Sequence, residues 1–340
     1  MEAKGTKRIK VLIVDDSILF REVLSRSISA DPLLEVVASA TDPFDARDKI
    51  LRYEPDVMTC DVEMPKMNGI QFIRQLLPQY PLPVVVVSSV SYAVFDAMNA
   101  GAIDFVTKPA KKDAANIEKF IDELISKIKV AANAKVTAPK NPPAANIAAC
   151  NKPDAKTIIA MGASTGGTEA LYNILTCLPA QMPGIVIVQH IPPTFSRMFA
   201  ERLNDQTRLN VKEAENGDWV ESGKVLIAPG DQHMSIKRIG YKYKVNVYKG
   251  EKVSGHCPSV DVLFDSVATA AGKNAIGVIL TGMGSDGAKG LLNMRRMGAR
   301  TIGQNESSSV VYGMPRVANE IGAVENVAPL QKIPQLLFKL

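Results

Sequence analysis

Three residues capable together of acyl-transfer chemistry stand at comparable places in the second half of the chain: Ser164, His190 and Asp286. Ser164 lies within residues 158–168, Ile-Ile-Ala-Met-Gly-Ala-Ser-Thr-Gly-Gly-Thr, whose opening apolar run reads as a buried strand. Residues 169–178 have helical spacing of apolar side chains, so the intervening glycines form a strand-to-helix turn with Ser164 at its apex. Glycines let the backbone bend sharply and keep bulk away from the hydroxyl, while the next helix points unpaired N–H groups at whatever binds there. Such a turn suits a phosphate cradle, an exposed serine nucleophile beside an oxyanion site, or nothing more than tight strand–helix packing. The local sequence does not choose among them.

The other two residues follow similar apolar runs. Residues 185–188 end in Gln189-His190, and residues 276–280 end in Thr-Gly-Met-Gly-Ser-Asp-Gly, with Asp286 ahead of an expected helix over 288–297. Three strands thus deliver a nucleophile, a general base and an orienting carboxylate to one edge of a parallel sheet. The chain has only three histidines. His233 is expected in a loop after Ala228-Pro229-Gly230, and His256 at the start of a helix before Cys257-Pro258; either would line the crevice as a substrate contact. Gly162-Ala-Ser164-Thr-Gly166 spells a nucleophile elbow, but the order serine, histidine, acid differs from the usual serine, acid, histidine, so the topology must differ. The phosphate cradle is weakened: no Lys-Ser or Lys-Thr follows the glycines, and no acidic residue stands at the dinucleotide-fold offset.

The first half presents a second constellation. From residue 10 to 109, five apolar runs alternate with amphipathic segments, which implies a parallel sheet covered on both faces. Chemistry in such sheets gathers at the carboxyl ends of the strands. Those ends carry Asp15 and Asp16, Asp61, Ser88 and Lys108. Converging carboxylates repel unless a hard cation neutralises them, and Mg²⁺ with oxygen ligands suits that role. Asp61 therefore reads as a phosphoryl acceptor, Asp15 and Asp16 as metal carboxylates beside it, Lys108 as the charge partner of the phosphoryl oxygens and Ser88 as a hydroxyl donor to them.

The elements around these sites set the organisation. At 340 residues, 46% hydrophobic and 22% charged, the chain accommodates two ordinary globular domains. Residues 114–130 form an amphipathic helix closing the first. Residues 131–156, rich in Ala, Lys, Pro and Asn, read as a linker that tethers one domain to the other. Residues 236–248 suggest a β-hairpin around Arg238-Ile-Gly-Tyr241. The four cysteines lack paired spacing, which fits reduced thiols and argues against a zinc site. No apolar run reaches the roughly 18 to 20 residues of a membrane span, so membrane insertion is not expected and a cytoplasmic location is. A net charge of +5, not gathered into a basic stripe, disfavours nucleic acid as partner.

Residues 8–130 resemble the response-regulator receiver family in Val-Asp-Asp-Ser, Asp61-Val-Glu-Met-Pro-Lys-Met-Asn-Gly, Ser88-Ser89, and Phe105 three residues before Lys108-Pro109. The resemblance implies a flavodoxin-like (βα)5 fold, Mg²⁺ at the phosphorylation site, phosphotransfer from a chemotaxis histidine kinase to Asp61, and movement of Ser88 and Phe105 that senses the phosphate. Residues 157–335 resemble the catalytic domain of the chemotaxis protein-glutamate methylesterases. The likeness is carried by Gly162-Ala-Ser-Thr-Gly-Gly-Thr-Glu-Ala, Val188-Gln-His-Ile-Pro, Ala228-Pro-Gly-Asp-Gln-His-Met, Pro258-Ser-Val-Asp-Val-Leu-Phe, Thr281-Gly-Met-Gly-Ser-Asp-Gly-Ala and Val311-Tyr-Gly-Met-Pro. This implies an α/β domain with a mainly parallel sheet and a hairpin, and hydrolysis of γ-glutamyl methyl esters on methyl-accepting chemoreceptors with release of methanol. Deamidation of receptor glutamines by the same acyl-enzyme chemistry is implied as well, and no cofactor is expected in this domain. The linker and the two active edges suggest in addition that the unphosphorylated receiver covers the Ser164 edge and that phosphorylation of Asp61 loosens this contact. Backbone N–H groups at Thr165 and Gly166, with a contribution near Met283, would hold the oxyanion. Two positions depart from the family pattern: Cys257 stands where arginine is usual, and Asn305 where aspartate is frequent.

Overall fold

The computed structural model describes residues 7–89, 91–109, 113–136 and 156–338. The chain divides into two compact units, Met1–Lys140 and Asn141–Leu340. Most of the stretch expected to be a linker, with Cys150 in it, lies outside the described residues.

The first unit alternates strand and helix: β1 (Ile9–Val14), α1 (Ile18–Ser29), β2 (Leu34–Ala40), α2 (Pro43–Tyr53), β3 (Val57–Asp61), α3 (Gly69–Leu76), β4 (Val84–Ser88), α4 (Ser91–Asn99), β5 (Asp104–Thr107) and α5 (Ala114–Ala131). The strands pair in parallel in the order β2-β1-β3-β4-β5. β3 and β4 are buried along their whole length, as strands covered on both faces must be. Side chains start the helices where the sequence supplies them: Ser17 accepts from the Phe20 amide, Asp42 caps α2 ahead of Pro43, and Asn68 and Asp113 cap α3 and α5. α5 buries Phe120, Ile121, Leu124 and Ile128, the apolar face expected of it. The strand order reverses between β1 and β3, so a crevice opens at their carboxyl ends, beside Asp15 and Asp61.

The second unit begins with β6 (Ile158–Ala163), α6 (Gly167–Leu175), β7 (Gly184–Gln189), α7 (Pro193–Gln206), β8 (Asn210–Glu213), β9 (Trp219–Val220) and β10 (Lys224–Ile227). The hairpin β11 (His233–Ile239) and β12 (Lys242–Tyr248) comes next, followed by α8 (Val260–Ala271), β13 (Ala275–Ile279) and α9 (Ala288–Arg296). It ends with β14 (Arg300–Gln304), α10 (Met314–Glu320), β15 (Asn326–Ala328) and α11 (Ile333–Phe338). Seven strands form an all-parallel sheet, β15-β14-β13-β6-β7-β10-β8, and β9 joins the hairpin in a separate antiparallel sheet, β11-β12-β9. The hairpin turns at Gly240, whose φ of 60° is open to glycine at no cost. Its inner face, Met234, Ile236, Tyr243 and Val245, shares one core with Leu263, Phe264 and Val267 of α8. The chain runs from β6 to β7 on one side and returns to β13 on the other, which makes the end of β6 the switch point of this sheet.

Some local expectations need correction. His233 opens β11 instead of lying in a loop, and His256 sits in a turn four residues ahead of α8 instead of at a helix start. β8, β9, β14 and β15 gave no signal in the sequence because they are short and mix polar residues or glycine into their runs. No helix among the described residues is long and apolar enough to cross a membrane.

Candidate functional site

The strand ends of the second unit meet through their backbones first. β6 and β7 pair in register from Ile158 with Gly184 to Ala163 with Gln189, and the His190 amide donates to the Ala163 carbonyl at 3.2 Å. On the other side β13 pairs with β6, and the Ser164 amide donates to the Thr281 carbonyl at 3.0 Å. Ser164 is therefore held between the two neighbouring strand ends. Its carbonyl accepts from the Gly167 amide at 2.7 Å and from Gln189 Nε2 at 2.9 Å, so the turn is closed from below by a buried side chain. Thr281, also buried, donates its hydroxyl to the Thr165 carbonyl at 3.0 Å and accepts from the Val311 amide at 2.9 Å.

Two glycines are required here. Gly166, at φ 74°, turns the chain into α6, which opens without a side-chain cap. A Cβ on Gly282 would lie 2.7 Å from Ser164 Cβ, so only glycine lets the loop after β13 pass beside the serine. That loop carries Met283 into solvent and is bridged at Gly282 to Tyr312.

His190 and Asp286 are joined directly, His190 Nε2 lying 2.9 Å from Asp286 Oδ2. Asp286 is fully committed. Its Oδ2 also accepts from the Val260 amide at 2.8 Å, and its Oδ1 from Ser259 Oγ at 2.8 Å and the Asp261 amide at 3.0 Å. These donors are the first turn of α8, where unpaired N–H groups favour a negative charge. Burial alone would push the Asp286 carboxyl up, but the bonds from His190 and the α8 amides hold it below the ordinary carboxylate range. Asp261 accepts from the Gly290 amide and Ser254 Oγ, yet burial still pushes its carboxyl upward.

A carboxylate on Nε2 keeps the proton at that nitrogen and leaves the lone pair on Nδ1. Nδ1 is buried and has no hydrogen-bond partner. A base with its acid-side nitrogen fixed and its other nitrogen vacant, one strand from a serine, can accept a proton and return it.

The remaining histidines separate. His233 is 2% exposed, with Nε2 2.8 Å from the Glu251 carbonyl and Nδ1 accepting from the Ser259 amide at 3.2 Å. Both its nitrogens serve the fold, and it does not line the crevice as a substrate contact. His256 lies flat on His190, ring centroids 3.7 Å apart and planes 10° apart. Burial first, then the neighbouring His190, lowers its pKa from the ordinary 6.5 to about 4. Asp286 pulls the other way and Lys252 adds to the lowering. The folded chain thus refuses a proton that the unfolded chain accepts below about pH 6.5, so stability falls as pH drops from there toward 4 and is unaffected above. The sole tryptophan, Trp219, lies in this unit and reports its unfolding alone. Urea midpoints followed by Trp219 fluorescence are expected to drop more between about pH 7 and 5 in the parent than in a His256→Phe chain.

In the first unit the carboxylates of Asp15, Asp16 and Asp61 each bring an oxygen within 4.8 Å of the others. Lys108 Nζ reaches Asp61 Oδ2 at 2.6 Å and Asp15 Oδ2 at 2.8 Å. The Ser17 and Glu63 amides donate to Asp15 Oδ1 and Asp61 Oδ1. Burial pushes the Asp61 carboxyl up despite Lys108; burial also opposes the Lys108 charge, but its two carboxylate partners outweigh it and raise its pKa. Three hard oxygen donors in so small a space, one on exposed Asp16 and two buried, fit an ion such as Mg²⁺ that keeps part of its water shell. A Cβ on Gly69 would stand 2.0 Å from the Asp61 carbonyl, so this glycine makes room for the acidic strand end. Ser88 ends β4, buried, with its carbonyl bound by the Lys108 amide at 3.0 Å. Phe105 is also buried, with Lys127 Nζ 5.0 Å from its ring centroid and bonded to its carbonyl.

Sequence reasoning passed over the residues that hold these groups. Ser259 was open to detection as a helix cap, since it accepts from the Val262 amide at the start of α8. Thr281 and Gln189 carry no local signal for these bonds, because Thr165, Val311 and Ser164 are distant from them in sequence.

Known proteins match the same two units. The CheB methylesterase family profile covers residues 159–337, and that of the response regulator receiver domain covers residues 11–119. A protein-glutamate methylesterase/protein-glutamine glutaminase 2 of Syntrophomonas wolfei is 58% identical over 98% of both chains. One of the same name from Pseudomonas aeruginosa is 46% identical over 97% of this chain and 96% of its own. The crystal structure of the Thermotoga maritima CheB methylesterase catalytic domain superposes with a TM-score of 0.53 at 40% identity, covering 54% of this chain and 97% of that one. With full-length relatives at this identity and a family profile spanning the whole serine–histidine–aspartate edge, the chain belongs to the CheB methylesterase family, with a response regulator receiver domain ahead of the methylesterase domain.

Proposed function

We propose that the chain is a phosphorylation-regulated serine hydrolase that removes methyl groups from γ-glutamyl methyl esters of chemoreceptors and deamidates receptor glutamines in chemotaxis adaptation. The observation that carries this reading is the His190–Asp286 pair, with Nε2 bound and Nδ1 vacant, at the strand ends flanking Ser164. Ser164 Oγ attacks the ester carbonyl while its proton passes to His190 Nδ1. The tetrahedral oxyanion is held by amides of the Thr165–Gly166 turn and by the loop at Met283. His190 returns the proton to the departing oxygen and methanol leaves. Water, deprotonated by the same Nδ1, then attacks the acyl-serine and frees the glutamate, and Asp286 stabilises the imidazolium in both halves. A glutamine side chain passes through the same acyl-serine, with ammonia as the first product.

Asp61 is the phosphoacceptor, its oxygen taking the phosphoryl group from a histidine kinase. Mg²⁺ held by Asp15, Asp16 and Asp61 would neutralise charge on the carboxylates and the incoming group. Lys108, now shared by Asp15 and Asp61, exchanges part of that pairing for the phosphoryl oxygens, and Ser88 and Phe105 respond to the change. The reaction takes place in the cytoplasm, with the receptors as substrates and neither nucleic acid nor membrane insertion involved.

The test is methanol release by the full chain from the methyl-esterified cytoplasmic fragment of a chemoreceptor; no methanol from that fragment overturns the reading. A small acyl phosphate with Mg²⁺ is expected to raise the rate, and Asp61→Asn to remove that increment. Equal rates with and without the phosphodonor in the parent chain would refute control by the first unit.

A further inference from the structure

The orientation of His190 rests on little polar bonding. Its ring has one hydrogen bond, at Nε2, and its other nitrogen is buried without a partner. A single bond fixes one ring atom and leaves the plane free to tilt, which would displace Nδ1. A proton acceptor misplaced by an ångström loses much of its effect. The second support is His256, whose ring covers one face of the imidazole at 3.7 Å and 10°.

His256 is itself held firmly. It closes a turn in which the Val253 and His256 amides each donate to the other's carbonyl at 3.0 Å. Ser254 and Gly255, the two residues between, have φ of 52° and 84°, so the chain is bent there in the left-handed region. Ser254 Oγ then ties the turn to Asp261 Oδ2 at 2.8 Å, and the Asp261 amide donates to Asp286. The start of α8 therefore anchors both the acid bonded to His190 and the turn that carries the stacked ring.

We propose that His256 is a positioning residue for the hydrolysis: its neutral ring, stacked on His190, fixes the plane of the base and offers a π face to the imidazolium formed each time Nδ1 takes a proton. The low basicity of His256 agrees with this role, since a second cation at 3.7 Å would oppose that imidazolium. This inference rests on the proposed hydrolase activity and adds to it a residue outside the serine, histidine and acid.

The experiment compares the parent full-length chain with His256→Ala, His256→Phe and His256→Leu, all assayed for methanol release from the esterified receptor fragment. His256→Ala is expected to lower kcat at least about ten-fold with KM changed less than about two-fold, because the base and not substrate binding is disturbed. His256→Phe keeps a flat neutral ring and should recover most of kcat, whereas His256→Leu, similar in bulk without a π face, should remain near the alanine variant. Thermal melting separates folding from turnover; should the alanine chain fail to fold, the Phe and Leu pair decides. Unchanged kcat in His256→Ala, or recovery by Leu equal to that by Phe, overturns the proposal and leaves the hydrolase reading standing. A parent chain that releases no methanol overturns both.

Discussion

Methanol release is expected to fall by about 10⁴ to 10⁶-fold when Ser164 is replaced by alanine, because the acyl-serine can no longer form and only water held near the oxyanion turn remains. The fold should be almost indifferent to the change. The bonds that hold the turn are made by the Ser164 amide and carbonyl, to Thr281, Gly167 and Gln189, and alanine keeps all of them. Thermal or urea midpoints are expected to shift by less than about 1 kcal/mol in stability. The measurement is therefore turnover and midpoint on the same preparation. A Ser164→Ala chain that still releases methanol at a tenth of the parent rate excludes serine as nucleophile, and a chain that melts early makes the assay uninformative about chemistry.

Asp286→Asn should be nearly as damaging to turnover, about 10³ to 10⁴-fold, and unlike Ser164→Ala it should also destabilise the second unit. The aspartate accepts four bonds, two at each oxygen. An asparagine has one oxygen and one NH₂, so whichever way it is turned a donor faces a donor. With NH₂ in place of Oδ2, the Val260 amide loses its acceptor and His190 must accept at Nε2, which moves its proton to Nδ1 and ends its use as a base. With NH₂ in place of Oδ1, the Asp261 amide is left buried and unpaired. Either arrangement costs about 1 to 3 kcal/mol. The chemistry and the stability loss can be separated by the double variant with Ser164→Ala. Turnover should be no lower than in Ser164→Ala alone, since the residues act as one unit, while the stability loss of Asp286→Asn persists.

The placement of Ser164, His190, Asp286, Asp61, Ser88 and Lys108 at or just beyond strand ends is legible because each follows an apolar run, and strand ends in parallel sheets are where polar groups from distant sequence meet. The residues that make those positions work are not. Ser259 acts on an acid 27 residues away, and Thr281 on a carbonyl 116 residues away, so their roles exist only after β6, β13 and α8 are packed together. The sequence position of His256 suggests a substrate contact. What sets it against His190 is a turn with two residues in the left-handed region, one of them the serine Ser254, a conformation that serine does not advertise. His233 illustrates the opposite error: a histidine near the right strands, whose two nitrogens are both spent on backbone groups.

The choice of ring nitrogen has a consequence for how such a site can be built. Because Asp286 takes Nε2, the outer nitrogen, the proton acceptor of the proposed reaction would be Nδ1, the ring nitrogen nearest the main chain of His190 itself. The distance from nucleophile to base is then governed by the spacing of paired strands, about 4.8 Å, and by the bond from the His190 amide to the Ala163 carbonyl, instead of by the reach of long side chains. Strand pairing in the sheet thus doubles as the jig for the reaction. A designer moving this chemistry to another parallel sheet would need serine and histidine at successive strand ends in matching register, with the acid supplied from any helix start that overlooks them.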